Sequence, residues 1–178
     1  MQAAAPDAPH RAKRVRLMLF DVDGVLTDGR IWYGPQGEAL KAFSVGDGQG
    51  LKLLAGAGVA VGVLSARTSA ATERRCAELG LAHVLLGVED KLAAFRALAA
   101  RLGVPESETG FMGDDLVDLP VLRACAFACS PREAPELVRA QAHYVAGAPA
   151  GNGAAREVCE YLMQAQGSLQ AALQRFLG

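Results

Sequence analysis

Two aspartates stand two positions apart in Asp21-Val22-Asp23-Gly24-Val25-Leu26-Thr27-Asp28, directly after the apolar run Val15 to Phe20. Carboxylates this close repel each other unless a cation or a proton comes between them. A cation would leave Asp21 ionised and nucleophilic. A raised pKa would let Asp23 serve first as an acid and then as a base. Gly24 lets backbone approach a ligand closely. An acidic loop or a helix cap would use the same residue types. The pair gains its weight from its place at the end of an apolar segment, with Thr27 following.

Three further groups fall in comparable places. Ser65 follows the run Val59 to Leu64, in Leu64-Ser65-Ala66-Arg67. A hydroxyl there, with the free N–H groups of a starting helix, can cradle a phosphate, although Thr68 or Ser69 would equally cap that helix. Lys91 opens the segment Glu89 to Leu102. A cation at a helix N-terminus opposes the macrodipole, so structure alone gives it little reason to stand there. Gly113-Asp114-Asp115-Leu116-Val117-Asp118 follows the short run Gly110 to Met112. Clustered carboxylates suit Mg²⁺, a hard cation that wants oxygen ligands. Helix capping by Asp114 or Asp115 would account for one of them, not three.

These groups must be positioned by the elements between them. Strand patterns are predicted at Val15–Phe20, Val59–Leu64, His83–Leu86, Gly110–Met112 and Ala124–Cys129. Helical patterns fall at Leu51–Ala57, Thr68–Leu79, Glu89–Leu102, Asp115–Ala124 and Ala134–Ala140. In Glu89–Leu102, Leu92, Phe95, Leu98, Ala99 and Leu102 share one face at helical spacing. Gly80 and Gly103 stop two of the helices. The alternation predicts an α/β fold, a doubly wound parallel sheet with helices on both faces. Ligands of such sheets bind at the carboxyl ends of the strands, where all four groups fall. Residues 30–45 break the rhythm: two strand-like runs around Gly34-Pro35-Gln36-Gly37 predict a projecting β-hairpin carrying the only tryptophan, Trp32. Residues 1–14 read as a disordered basic tail, and residues 15–178 as a single domain. Residues 154–177 read as two helices about a turn near Gly167.

The chain of 178 residues has a formal net charge of −1, which gives no long-range attraction to nucleic acid or to an anionic membrane. An anionic substrate must therefore be held by a local cationic site. Cys76, Cys125, Cys129 and Cys159 lack CxxC spacing and read as free thiols of a reducing compartment. The N-terminal residues lack the apolar core of a signal peptide, and no apolar run is long enough to span a bilayer. A cytoplasmic protein is expected.

The string DVDGVLTDG, the Ser65 segment, Lys91 and GDDxxD resemble the four motifs of the haloacid dehalogenase superfamily. The resemblance covers nearly the whole chain after the tail. Within that superfamily the chain is similar to the bacterial 3-deoxy-D-manno-octulosonate 8-phosphate phosphatases, in LKAFSVGDGQGLKLL, GDDLVDLPVL and GAAREVCEYLMQAQG. It departs from their pattern at Gly46, where a cation is usual, at Ala66, where glycine is usual, and at Ala150-Gly151-Asn152-Gly153, where Gly-Gly-x-Gly is usual.

The resemblance implies a Mg²⁺-dependent phosphatase with a Rossmann-like core. Asp21 would attack phosphorus and bind the metal. Asp23 would protonate the leaving oxygen, activate water, and give its backbone carbonyl to the metal. Ser65 and Lys91 would hold the phosphoryl oxygens. Asp114 would be a metal ligand, with Asp115 supporting the metal shell from behind. Arg67 and Arg156 would contact substrate across a subunit boundary. The substrate would be a sugar-acid phosphate of lipopolysaccharide precursor synthesis. The gaps from Asp21 to Ser65 and from Ser65 to Lys91 are too short for the cap domain that many members insert there. A homotetramer joined through the hairpins would close the site instead. Other readings are a phosphatase for a 9-phosphorylated nonulosonic acid or another sugar phosphate, a phosphoacceptor receiver-like domain, and a non-catalytic oligomerisation module.

Overall fold

The structure, a computed structural model, describes residues 3–174 and 176. Its strands are β1 (Ala3–Ala4), β2 (Leu17–Phe20), β3 (Trp32–Gly34), β4 (Gly37–Leu40), β5 (Ala60–Leu64), β6 (His83–Leu85), β7 (Thr109–Met112), β8 (Phe127–Ser130) and β9 (Tyr144–Val145). Its helices are α1 (Ala8–Lys13), α2 (Val45–Gly56), α3 (Ala70–Leu79), α4 (Lys91–Arg101), α5 (Leu119–Ala124), α6 (Glu136–Arg139), α7 (Ala154–Ala165) and α8 (Leu169–Gln174). Seven strands form one sheet in the order β1-β9-β8-β7-β2-β5-β6. Six run parallel, and β1 pairs antiparallel with β9 at the edge.

The central strand shows why the sheet is covered on both faces. Successive side chains of a strand point to opposite sides. Met18 and Phe20 enter one apolar cluster, with Leu51 and Leu54 of α2 and Val158 and Leu162 of α7. Leu17 and Leu19 enter the other, with Phe95 and Leu98 of α4 and Val121 and Leu122 of α5. All four residues of β2 are fully buried, which is the signature of a strand inside a parallel sheet. β2 lies between β5 and β7, so the chain ends that leave these three strands, at Asp21, Ser65 and Gly113, emerge side by side.

Helix α2 begins six residues before the predicted Leu51, at Val45. Gly46, Gly48 and Gly50 hid it, since glycine lowers helix stability by up to about 1 kcal/mol each. Packing against α7 explains one of them: a Cβ on Gly50 would lie 2.9 Å from the Cα of Arg156. The same helix supplies a cap to α7, whose N-terminal residue Gly153 has no side chain to offer. Buried Asp47 accepts from the Gly153 N–H at 3.1 Å and the Arg156 N–H at 2.8 Å, so an anion sits where the helix dipole favours one.

The expected disordered tail is overturned from residue 3 onward; residues 1 and 2 lie outside the described residues. Ala8 and Ala12 of α1 are fully buried, Arg11 Nη1 donates to the Ala126 carbonyl at 3.0 Å, and Gln166 Nε2 donates to the Ala12 and Val15 carbonyls. Small alanines on one face let a short helix lie against α7, a pattern too brief to register as a period. The predicted hairpin and the two C-terminal helices are present as β3–β4 and α7–α8, with Arg175 and Leu177 of the predicted segment outside the described residues. The hairpin forms a separate two-stranded sheet with a register shift between Trp32 and Tyr33. Among the described residues there is no cap domain, and no helix is long and apolar enough to cross a membrane.

Candidate active site

Asp21 leaves β2 with its backbone N–H bound to the Met112 carbonyl at 2.9 Å, so β2 and β7 stay paired up to the first acidic residue. The loop that follows is held by Thr27. Its buried hydroxyl accepts from the Gly29 N–H at 3.2 Å and lies 3.4 Å from the Gly24 N–H and the Val22 carbonyl. Gly24 has φ +86°. A Cβ there would meet Asp114 Oδ2 at 2.0 Å, so only glycine lets the β7 loop bring Asp114 against the β2 loop.

Asp21, Asp114 and Asp118 converge, each offering a carboxylate oxygen within 4.8 Å of the others. Lys91, buried at the start of α4, bridges two of them: Nζ lies 3.1 Å from Asp21 Oδ1 and 2.7 Å from Asp118 Oδ1. Asp118 is fully buried, and its Oδ2 accepts from the Asp114 N–H at 2.9 Å and the Asp115 N–H at 3.2 Å. It therefore ties the lysine to the loop that presents Asp114. Asp115, expected behind the metal shell, is exposed instead and accepts from the Leu116 N–H at 2.7 Å. The 3-10 turn Leu116–Asp118 turns its side chain outward and puts Asp118 in the buried place.

Electrostatics follow from burial and crowding. Burial, then the Asp21 and Asp118 charges, push the Asp114 carboxyl up to about 8 from an ordinary 3.8. Burial and Asp118 push Asp21 up to about 6, against the pull of Lys91. Burial works against the Lys91 charge, but Asp21 and Asp118 outweigh it and hold its pKa above the ordinary lysine value. Asp114 Oδ1 is buried with no hydrogen-bond partner. A buried carboxylate oxygen without a donor is costly, and three crowded acids against one lysine leave surplus negative charge. A divalent cation would supply what both observations lack. The donor set, all hard oxygen, fits Mg²⁺.

Ser65 stands just past β5 with its backbone paired to β6 and the loop after it: its N–H donates to the Leu85 carbonyl and its carbonyl accepts from the Val88 N–H. Its hydroxyl accepts from the Arg67 N–H at 3.3 Å. On the far side of Asp23 is a group that the sequence reading did not single out. Lys41, just past β4, places Nζ 2.5 Å from Asp23 Oδ1 and 3.6 Å from Glu38 Oε2. Arg67 reaches the same two acids, 3.4 Å from Asp23 Oδ2 and 3.5 Å from Glu38 Oε2. Ser69 donates to Glu38 Oε1. The hairpin is thus docked onto the site by charge. Burial opposes the Glu38 charge, but Ser69, Lys41 and Arg67 hold its carboxyl below the usual range.

Arg67 is thereby brought to Asp23 within one chain. Arg156 is not brought to this group; it lies on the first turn of α7 with Nε 2.5 Å from Glu160 Oε1. Beside Asp114 a cleft of about 490 Å³ opens between Gly24, Asp28, Glu133 and Pro149.

An acid following the central strand, a partner two residues on, a hydroxyl, a buried lysine and an acidic loop, met on one edge of a Rossmann-like sheet, define a haloacid dehalogenase-like hydrolase, and residues 82–158 match that family directly. The chain is 39% identical over 170 residues to the 3-deoxy-D-manno-octulosonate 8-phosphate phosphatase KdsC of Salmonella typhimurium, covering 94% of this chain and 90% of that protein. A crystal structure of the phosphatase of that name from Moraxella catarrhalis, in complex with a magnesium ion, a phosphate ion and KDO, superimposes with a TM-score of 0.92 at 39% identity, covering 96% of this chain and 98% of that one. The cobalt-bound enzyme of Haemophilus influenzae gives 0.90 at 39% identity, covering 94% and 99%. The chain belongs to the 3-deoxy-D-manno-octulosonate 8-phosphate phosphatase family.

Proposed function

We propose that the protein hydrolyses 3-deoxy-D-manno-octulosonate 8-phosphate to KDO and inorganic phosphate, with Asp21 as nucleophile. The observation that carries the chemistry is the buried group of Asp21, Asp114 and Asp118 joined by Lys91, with Asp114 Oδ1 lacking a partner. The substrate rests on the likeness to relatives of that name over nearly their whole length.

Asp21, Asp114 and the backbone carbonyl of Asp23 would hold Mg²⁺. When bound, the cation would offset negative charge gathering on the phosphoryl oxygens. Lys91, 3.1 Å from Asp21 Oδ1, would bind a phosphoryl oxygen as the group moves onto Asp21, and Ser65 would hold another. In the first step an Asp21 oxygen bonds to phosphorus, the ester P–O bond breaks, and Asp23 passes its proton to the departing sugar oxygen. In the second step Asp23 takes a proton from water as that water attacks phosphorus. Phosphate leaves and Asp21 is restored. Asp118 takes the supporting part first read for Asp115, since it is Asp118 that is buried against Lys91. Arg67 would meet the sugar acid from within its own chain, and Arg156 would do so only from a neighbouring subunit.

A 9-phosphorylated nonulosonic acid is the second substrate reading, kept because Gly46 and Ala66 depart from the octulosonate family's pattern. Steady-state kcat/KM with Mg²⁺ on both sugar-acid phosphates separates them. Preference for the octulosonate ester is expected; preference for the nonulosonate ester by tenfold or more, roughly 1.4 kcal/mol of transition-state binding, would overturn the assignment.

A homotetramer formed through the hairpins is part of the same reading. Trp32, Tyr33 and Leu40 are exposed on the hairpin, and an isolated two-stranded hairpin is marginal in water. Phe43, just past the hairpin, packs against its own domain's core. A cytoplasmic location agrees with four free cysteines.

A further inference from the structure

Lysines rarely bury their ammonium groups, because a long flexible stem lets the charge reach water. Lys41 does bury its own: its side chain is 1% exposed. It stands just beyond β4, on an element that otherwise presents Trp32, Tyr33 and Leu40 to solvent. A docking contact for the hairpin could have used the surface. This lysine instead enters the site and ends 2.5 Å from Asp23 Oδ1. Glu38 Oε2, 3.6 Å away, faces it from the second side.

The two oxygens of Asp23 are treated differently. Oδ1 is taken by Lys41. Oδ2 is buried and has no hydrogen-bond partner, with Arg67 Nε only at ion-pair distance, 3.4 Å. A carboxylate turns about its last torsion with little preference, so a group that must reach both a leaving oxygen and a water needs something to fix its plane. Of the contacts Asp23 makes, the one to Lys41 is the shortest and comes from the most buried partner.

We propose that Lys41 is a positioning residue for Asp23, anchoring Oδ1 so that Oδ2 remains free to pass and take the proton. This rests on the reading of Asp23 as the acid–base group. It gives the hairpin a part in the reaction besides assembly.

The consequence depends on the leaving group. A sugar alkoxide must gain a proton as its P–O bond breaks, so the first step needs Asp23 in place. p-Nitrophenolate departs without one, so with that ester the first step proceeds and only the second, in which Asp23 takes the proton of water, is slowed. Lys41→Met keeps the stem and removes the cation. With the octulosonate ester we expect its kcat to fall about 100-fold, as for a modest misplacement of a reacting group. With p-nitrophenyl phosphate, rapid mixing should show a burst of about one p-nitrophenolate per site at the wild-type rate, then a slow phase. Lys41→Arg should recover most of the loss, and the Mg²⁺ concentration for half activation should be unchanged in both variants. Melting temperature and solution mass check the fold; if Lys41→Met is unfolded, Lys41→Gln carries the same test. Turnover within about twofold of wild type would overturn the proposal. So would equal losses in both steps with no burst, the mark of a merely structural lysine. A wild-type protein that hydrolyses no phosphomonoester would instead overturn the functional reading itself, and would show before any variant is made.

Discussion

A Cβ on Gly24 would lie 2.0 Å from Asp114 Oδ2. The loop after β2 and the loop after β7 can therefore meet only because residue 24 has no side chain, and its φ of +86° is one that glycine adopts freely. Gly24→Ala should push Asp114 out of the acidic group. Half activation by Mg²⁺ should shift to concentrations about 10–100-fold higher, the range for disturbed metal sites. Titrating activity with Mg²⁺ at saturating substrate checks this; an unchanged midpoint would mean that Asp114 is not a ligand.

Asp118 and Asp115 are told apart by the same approach. Asp118→Asn leaves Lys91 with a single carboxylate partner and weakens the acceptor for the Asp114 N–H. A loss of about 10–100-fold in kcat/KM is expected. Asp115→Asn, at an exposed position, should stay within about threefold, since asparagine can cap the same turn and the side chain remains at the surface. Steady-state kinetics of the two variants side by side decide it, and the reverse order would return the supporting part to Asp115.

Stability should depend on pH in a way that the cation removes. Without metal, folded Asp114 keeps its proton to about pH 8 and Asp21 to about pH 6, against an ordinary 3.8 for both. Over that window the folded state binds more protons than the unfolded one, so metal-free stability falls as pH rises. Bound Mg²⁺ favours the ionised forms and cancels the fall. The gain in melting temperature on adding Mg²⁺ should therefore grow from about pH 5.5 to about pH 8. Burial lowers the pKa of His83 and of His143, but their contribution is common to both arms and drops out of the difference. Thermal melts with and without Mg²⁺ give the result, and a gain independent of pH would contradict it.

The acid pair, Ser65, Lys91 and Asp114 could be placed from sequence because each follows an apolar run, and a run of that kind between helical patterns is a buried parallel strand. The sheet and its active edge followed from that rule. What escaped notice lacked a period or a local cue. Helix α1 buries only two alanines, and the first turns of α2 are written in glycines, of which Gly50 serves its packing against α7. Lys41 and Asp23 are 18 positions apart, and only the fold-back of the hairpin makes them neighbours. The available signal was a lysine inside the short, otherwise apolar run Ala39–Phe43. Sequence alone does not give Asp118 the buried place, because a 3-10 turn, not a helical one, sets which of Asp115 and Asp118 points inward.

Assembly is tested at the hairpin. Trp32 is 58% exposed and Tyr33 68%, an apolar surface that association would cover. Trp32→Glu should reduce the solution mass to that of a monomer or dimer while the circular dichroism spectrum stays that of the wild type. Light scattering on both proteins checks it. A wild-type protein that is already monomeric and fully active would dispose of the tetramer.

The central claim is that Asp21 takes the phosphoryl group in a Mg²⁺-dependent hydrolysis. Its most direct measurement is phosphate release from 3-deoxy-D-manno-octulosonate 8-phosphate by wild type and Asp21→Asn, with Mg²⁺ and with EDTA. The wild type should turn over with Mg²⁺ and stop in EDTA, and Asp21→Asn, still folded, should lose on the order of 10⁴-fold or more in kcat. An Asp21→Asn protein that keeps about a tenth of the activity, or a wild type indifferent to chelation, would contradict the account.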